Sequence, residues 1–203
     1  MSYAELCTTS NFTFLTGASH PEELVTRAAK LGLAAIAITD RNSLAGVVRA
    51  YSALKELHRQ AEDGDGTPLP KLIVGTRLVL RDSPVHWIAL PQDRPAYARL
   101  SRLLTLGKRR AEKGECHLDL QDILTSCTGI ILIALPQGAI ETGQVTAHIQ
   151  AAQRRYPGHV FLGAAPRYDG SDQAHLDRCA RLALKTAAPM VAVGDALMHH
   201  GSR

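Results

Sequence analysis

Aromatic side chains are scarce: one tryptophan, five tyrosines and three phenylalanines make up 4% of 203 residues. Proteins that hold single-stranded nucleic acid by stacking need more aromatic platforms than that, so this class is disfavoured. Four cysteines (Cys7, Cys116, Cys127, Cys179) stand far apart with no CxxC pair, which argues against a zinc knuckle. No apolar run approaches the roughly 18 residues of a membrane span, and the first residues lack the pattern of a signal peptide. The expectation is a cytoplasmic protein with reduced thiols and no membrane partner. Neither standard glycine-rich phosphate loop occurs, and no internal repeat is evident. What remains is ordinary for one globular domain: 45% hydrophobic residues, 21% charged residues and a formal charge of +4. Such a mild basic excess tolerates a nucleic-acid partner without demanding one.

The chain reads as strands alternating with helices. "YAELCTT" suits a first strand. "HPEELVTRAAKLG" suits a helix: Ser19 and Glu22 have capping-box spacing, Pro21 falls in the first turn and Gly32 at the stop. "LAAIAI" is a continuous apolar run, as expected of a strand covered on both faces. Ser43 is placed to cap a second helix whose apolar positions Leu44, Val47, Val48, Tyr51, Leu54 and Leu57 keep the helical period. "EDGDGTPLP" (62–70) reads as an exposed loop. "KLIVGTRLVL" and "VHWIAL" read as a hairpin-like pair of strands around "RDSP". Residues 93–107 form a helix with Tyr97, Leu100, Leu103 and Leu104 inward, and "LDLQDILTSC" forms a shorter one. Three more strands ("GIILIAL", "HVFLGAA", "MVAVGD") alternate with two more helices. Seven strands, most followed by a helix, predict a parallel α/β arrangement. A closed barrel covers every strand economically, although a doubly wound sheet fits the same pattern.

Three long stretches together resemble one family. "YAELCTTSNFTFLTGASHPEELVTRAAKLGLAAIAITDRNSLAGVVRAYSALK" resembles the opening of bacterial C-family DNA polymerases, and is closer to the error-prone, mutagenesis-associated branch of replicative polymerase III α-subunits. "RLLTLGKRRAEKGECHLDL" is similar to that branch in particular, and "APMVAVGDALMHH" resembles the end of the same module. The resemblance implies a polymerase and histidinol phosphatase (PHP) domain, a distorted (β/α)7 barrel of seven strands, over residues 1–200 with a tail at 201–203. The polymerase palm, fingers and thumb expected beyond it are not among these 203 residues, so this chain alone is not expected to copy DNA.

In active members of that family, imidazoles and carboxylates converge on divalent ions that activate water and neutralise a departing phosphate. Carried over position by position, the resemblance implies a degraded site. The first motif, histidine-x-histidine, falls on Cys7 and Thr9, and an acidic position seven residues further on holds Thr16. The aspartate-histidine motif keeps Asp40 but has Arg41. The glutamate closing a later strand is Arg77. The last motif keeps Asp195 and has Leu197 for its histidine. An arginine has no acceptor atom and stays protonated, so it is no ligand. Beside a divalent ion at ~4 Å and an effective dielectric near ~20, it costs roughly 8 kcal/mol. The expectation is therefore no metal or other cofactor, with Arg41 and Arg77 neutralising the surviving Asp40 and Asp195 in the space that relatives fill with ions. Solvent-facing arginines are the plainer alternative.

His86, on a strand, is a possible residual ligand or an ordinary core histidine. His199 and His200 read as an exposed tail. Lys108, Arg109, Arg110 and Lys113 cluster in "GKRRAEKGE", suited to a partner or interdomain contact, or to weak, salt-sensitive DNA binding. The favoured reading is a structural and interaction module of a polymerase used in damage-tolerant synthesis. Its partners would be the rest of that polymerase and replication or mutagenesis proteins. One alternative is an active zinc- or manganese-dependent phosphoesterase or 3'-5' exonuclease, with Cys7, Asp40, His86 and Asp195 as ligands. The other is a free-standing module that binds nucleic acid or a partner.

Overall fold

The computed structural model describes residues 3–62, 68–138 and 142–202, with the side chain of Glu62 left out. The chain divides into two compact units, Met1–Thr76 with Val193–Arg203, and Arg77–Ala192.

The first unit holds β1 (Ala4–Thr8), α1 (Pro21–Lys30), β2 (Ala35–Ile38), α2 (Val47–Glu62) and β3 (Lys71–Val74). The strands form a parallel sheet in the order β1-β2-β3. Every residue of β2 is buried, because it is the central strand with helical side chains packed against it. Leu24, Val25 and Ala28 of α1 meet Ile36 and Ile38 of β2 and Ala50 and Leu54 of α2, and this cluster is the unit's core. Burying each large aliphatic there contributes about 1.5–3 kcal/mol.

Two helix starts differ from the sequence reading. The reciprocal bond at the head of α1 is one residue later than expected: the His20 N–H donates to Glu23 Oε2 at 2.8 Å, and Ser19 is engaged elsewhere. Helix α2 begins at Val47 rather than beside Ser43, whose hydroxyl accepts from Ala45 N–H in the preceding turn. That offset turns Val48 and Tyr51 outward, and Ala50 takes the inner position.

The second unit continues with β4 (Thr76–Leu78), β5 (Val85–Pro91), α3 (Arg94–Arg109), α4 (Leu120–Ser126), β6 (Ile130–Pro136), α5 (Gly143–Arg155), β7 (Val160–Ala164), α6 (Asp172–Thr186) and β8 (Met190–Ala192). Its sheet has the order β4-β5-β6-β7-β8. The β5–β6 pair is antiparallel and the β6–β7 and β7–β8 pairs are parallel. Trp87, Ile88, Leu132, Ile133 and Leu162 are fully buried along this sheet. Asp93 caps α3, accepting from Ala96 N–H at 2.7 Å.

The architecture is mixed α/β, but among the described residues it is two separate sheets with eight strands, not one closed barrel of seven. The run "KLIVGTRLVL" is interrupted at Gly75, and its halves join different sheets: β3 lies beside β2, while β4 lies beside β5. The expected parallel arrangement fails at β5–β6, since apolar periodicity marks a strand without reporting its direction. The "EDGDGTPLP" loop falls largely outside the described residues, as do the first residue of "ETGQVTAHIQ" and Arg203. No described helix is long and apolar enough to cross a membrane.

Candidate functional site

In the first unit, β1 and β2 end side by side, because they pair in parallel. Their C-terminal ends carry Thr8, Thr9 and Ser10 on one chain segment and Thr39, Asp40 and Arg41 on the other. Residues 193–199 return along β1. Ala196 N–H donates to Cys7 O at 3.0 Å, Thr9 N–H donates to Ala196 O at 2.9 Å, and Ala18 N–H donates to Leu197 O at 2.9 Å. Of the positions the sequence singled out in this unit, Cys7, Thr9, Asp40 and Asp195 lie at or beside these strand ends, whereas Thr16 and the Arg41 side chain do not join them. Thr16 is exposed in the 13–17 turn and takes no part.

Asp40 is 1% exposed. Its carboxylate accepts from Ser10 N–H at 2.9 Å, from the Ser10 hydroxyl at 2.8 and 3.0 Å, and from the Thr13 hydroxyl at 2.9 Å. Its backbone carbonyl accepts from the Thr76 hydroxyl at 2.7 Å. Gly46 lets α2 start this close: a methyl there would sit 2.5 Å from Asp40 Oδ2. Arg41 does not neutralise Asp40 as expected. Its side chain is exposed, and its backbone N–H donates to Thr13 Oγ1 at 2.9 Å. Serine and threonine hydroxyls satisfy the buried carboxylate where the sequence suggested a guanidinium.

Cys7 is fully buried, and its thiol lies 3.3 Å from Asp195 Oδ1. Asp195 sits at φ 49°, a left-handed conformation that aspartate tolerates better than most residues. Beside them stands Glu5, a buried carboxylate that the sequence reading passed over. It accepts from Cys7 N–H at 2.9 Å, from Gly194 N–H at 2.9 and 3.1 Å, and from the Tyr3 hydroxyl at 3.0 Å. Burial pushes the Glu5 carboxyl above its usual range. The two N–H groups and Tyr3 oppose that shift, and Asp195 adds to it. Tyr3 is pushed up as well, first by burial and then by the Glu5 charge. Gly194, which reaches Glu5 from 189 positions away, is a partner that no local pattern in β1 announces.

Because the folded state raises the Glu5 pKa, it binds this proton more tightly than the unfolded chain does. The stability contributed by Glu5 is then complete below its ordinary value of 4.5 and is lost as pH rises through the higher folded value. The expected result is a urea midpoint that falls with rising pH above that point, relative to Glu5→Gln measured alongside. Equal slopes for the two proteins would refute the assignment.

Thr9 is buried, with no partner for its hydroxyl among the described residues. His199 is not a free tail: its Nδ1 lies 2.7 Å from Ser19 Oγ, and its N–H donates to the same oxygen at 2.9 Å. His200 is exposed. In the second unit, Arg77 lies half-buried on β4, and His86 is half-buried on β5 opposite Leu135. Lys108 and Arg109 end α3, and Arg110 caps it and pairs with Asp122 at 2.6 Å. Lys113 is exposed in the following loop. Among the described residues, no group of three or more histidine, cysteine, aspartate or glutamate side chains is placed to hold a metal ion.

This mixed α/β fold, with a buried aspartate at the end of a parallel strand, has a known counterpart. The PHP domain family model matches residues 5–186, and the chain belongs to that family. It is 66% identical over 229 residues to an error-prone DNA polymerase of Ruegeria pomeroyi, covering all of this chain and 21% of that protein. A Rhodopseudomonas palustris error-prone DNA polymerase is 43% identical over 202 residues, with 100% and 18% covered. The chain thus spans about a fifth of the length of these relatives. Among solved structures, it superposes on a Bifidobacterium adolescentis protein, assigned provisionally as a metal-dependent phosphoesterase, with a TM-score of 0.66 at 16% identity. That match covers 100% of this chain and 89% of the other. An amidohydrolase from Chromobacterium violaceum gives 0.65, also at 16% identity, covering 97% and 88%. At that identity, the likeness speaks for the fold.

Proposed function

We propose that this chain is the PHP module of an error-prone DNA polymerase and serves as scaffold and contact surface, not as a hydrolase. Identity of 66% over all of this chain, matched to 21% of one such polymerase, supports the placement. The observation that carries the scaffold reading is the state of Asp40. Its carboxylate, which a metal cluster would need, is already engaged by three donors from Ser10 and Thr13. A divalent ion would have to displace those bonds and work with threonine and leucine at positions where relatives need imidazole. The residues present do not fit a divalent cluster, and we derive no hydrolytic step through one. The partner of this reading is the remainder of the polymerase, acting in the cytoplasm during damage-tolerant synthesis.

Purified protein should carry no stoichiometric zinc or manganese by elemental analysis after exposure to either ion. It should also show no turnover of a chromogenic phosphodiester. One or more bound ions per chain, with turnover that a chelator abolishes, would reverse the conclusion.

A further inference from the structure

Helices α3 and α4 of the second unit border a groove of about 560 Å³, which shares none of the Asp40 site's residues. Three arginines line it: Arg99, Arg102 and Arg109. Their offsets of three and seven residues put them on one face of α3, spread over about 15 Å of helix. Arg99 is braced by the bond from its Nε to Thr128 O at 2.7 Å. Arg102 and Arg109 are exposed. Neighbouring arginines find carboxylates, Arg110 with Asp122 and Arg81 with Asp119. The groove arginines have no ion-pair partner among the described residues, and no acidic side chain lines the groove. Between them lie Leu103, buried, and Leu106, 40% exposed.

An apolar strip bordered by unpaired guanidiniums selects for a particular chemistry. Guanidinium forks bind carboxylates and phosphates alike. A phosphate backbone gains nothing from the leucine strip, and the groove offers no aromatic ring on which a base could stack. We propose that the α3–α4 groove docks an acidic segment of a partner protein. That segment sets an apolar side chain against Leu106, over the buried Leu103, and presents carboxylates to Arg99, Arg102 and Arg109. The leucine contact supplies the anchor, and the rim charges supply steering, register and salt sensitivity. This assignment is independent of the state of Asp40.

The test is fluorescence anisotropy on the 203-residue chain with three labelled probes. These are a glutamate-rich helical peptide with leucines one turn apart, the same peptide with serine for leucine, and an oligothymidylate. The leucine peptide should bind most tightly. Its affinity should fall roughly tenfold or more in the double variant Arg102→Glu/Arg109→Glu, and by a similar factor when its leucines are replaced. Leu106→Ser provides a second arm should the charge reversal disturb folding, and it should weaken the leucine peptide but not the serine one. Three results would each overturn the proposal: no peptide binding, peptide affinity unchanged within about twofold in the variants, or tighter binding of the oligothymidylate than of the peptide.

Discussion

Asp40→Ala is expected to lower the unfolding free energy by about 3 kcal/mol or more, seen as a reduced urea midpoint at unchanged slope. The substitution leaves Ser10 N–H and the hydroxyls of Ser10 and Thr13 without their shared acceptor in a site from which water is excluded. Hydrogen bonds to a charged acceptor contribute about 1.5–3 kcal/mol each, and stranding their donors adds a desolvation cost. Arg41→Ala, one residue away, should change stability by no more than about 0.5 kcal/mol, because its side chain is solvated. The comparison is diagnostic. If removing Arg41 cost as much as removing Asp40, the carboxylate would depend on a guanidinium after all, and the hydroxyl account would be wrong.

The second large effect is at Gly194. A Cβ there would lie 2.2 Å from Glu5 Oε2 and 3.2 Å from its carboxyl carbon, well inside contact distance. The Glu5 carboxylate has nowhere to move without releasing Cys7 N–H and Gly194 N–H. Gly194→Ala should therefore cost about 2–3 kcal/mol, from overpacking together with loss of these bonds. The informative measurement is the double mutant. Glu5→Ala is itself destabilising, since it orphans two buried N–H groups, but it opens the space a methyl at 194 requires. The two losses should then sum to less than additive by about 1 kcal/mol or more. Strict additivity would mean that the crowding at Gly194 is not with Glu5.

Local chemistry was readable from the sequence, and long-range arrangement was not. The apolar run before Asp40 announces a buried strand ending in a carboxylate, and β2 and Asp40 are placed as that pattern implies. Pro21 and the spacing of Leu24, Val25 and Ala28 likewise announce α1. By contrast, the antiparallel β5–β6 pair and the assignment of β3 and β4 to different sheets depend on which strands meet, and side-chain periodicity is silent on that. The site follows the same division. Asp40 stands out at the end of an apolar strand, and Cys7 and Asp195 are marked by the family resemblance. Ser10 and Thr13 are common hydroxyl residues in a polar stretch, and nothing local marks them as acceptors' partners. Glu5 and His199 were missed because residues nearly two hundred positions away bury or hold them. Arg109 drew attention with its basic neighbours, but Arg99 and Arg102 carry no local signal until α4 supplies the opposite wall.

Bonds joining Cys7 to Asp195 and Glu5 to Gly194 span 188 and 189 positions of chain. During synthesis, β1 must therefore wait until residues 193–196 have emerged before its last neighbour arrives, whereas Arg77–Ala192 precedes them. Ordering of the second unit before closure of the first is the natural sequence of events, and the final closure carries the slow step that distant pairings impose. A nascent chain halted once Ala192 has cleared the ribosome, with Val193 still inside, would thus present a finished second unit and a first one still exposing the Glu5 carboxylate.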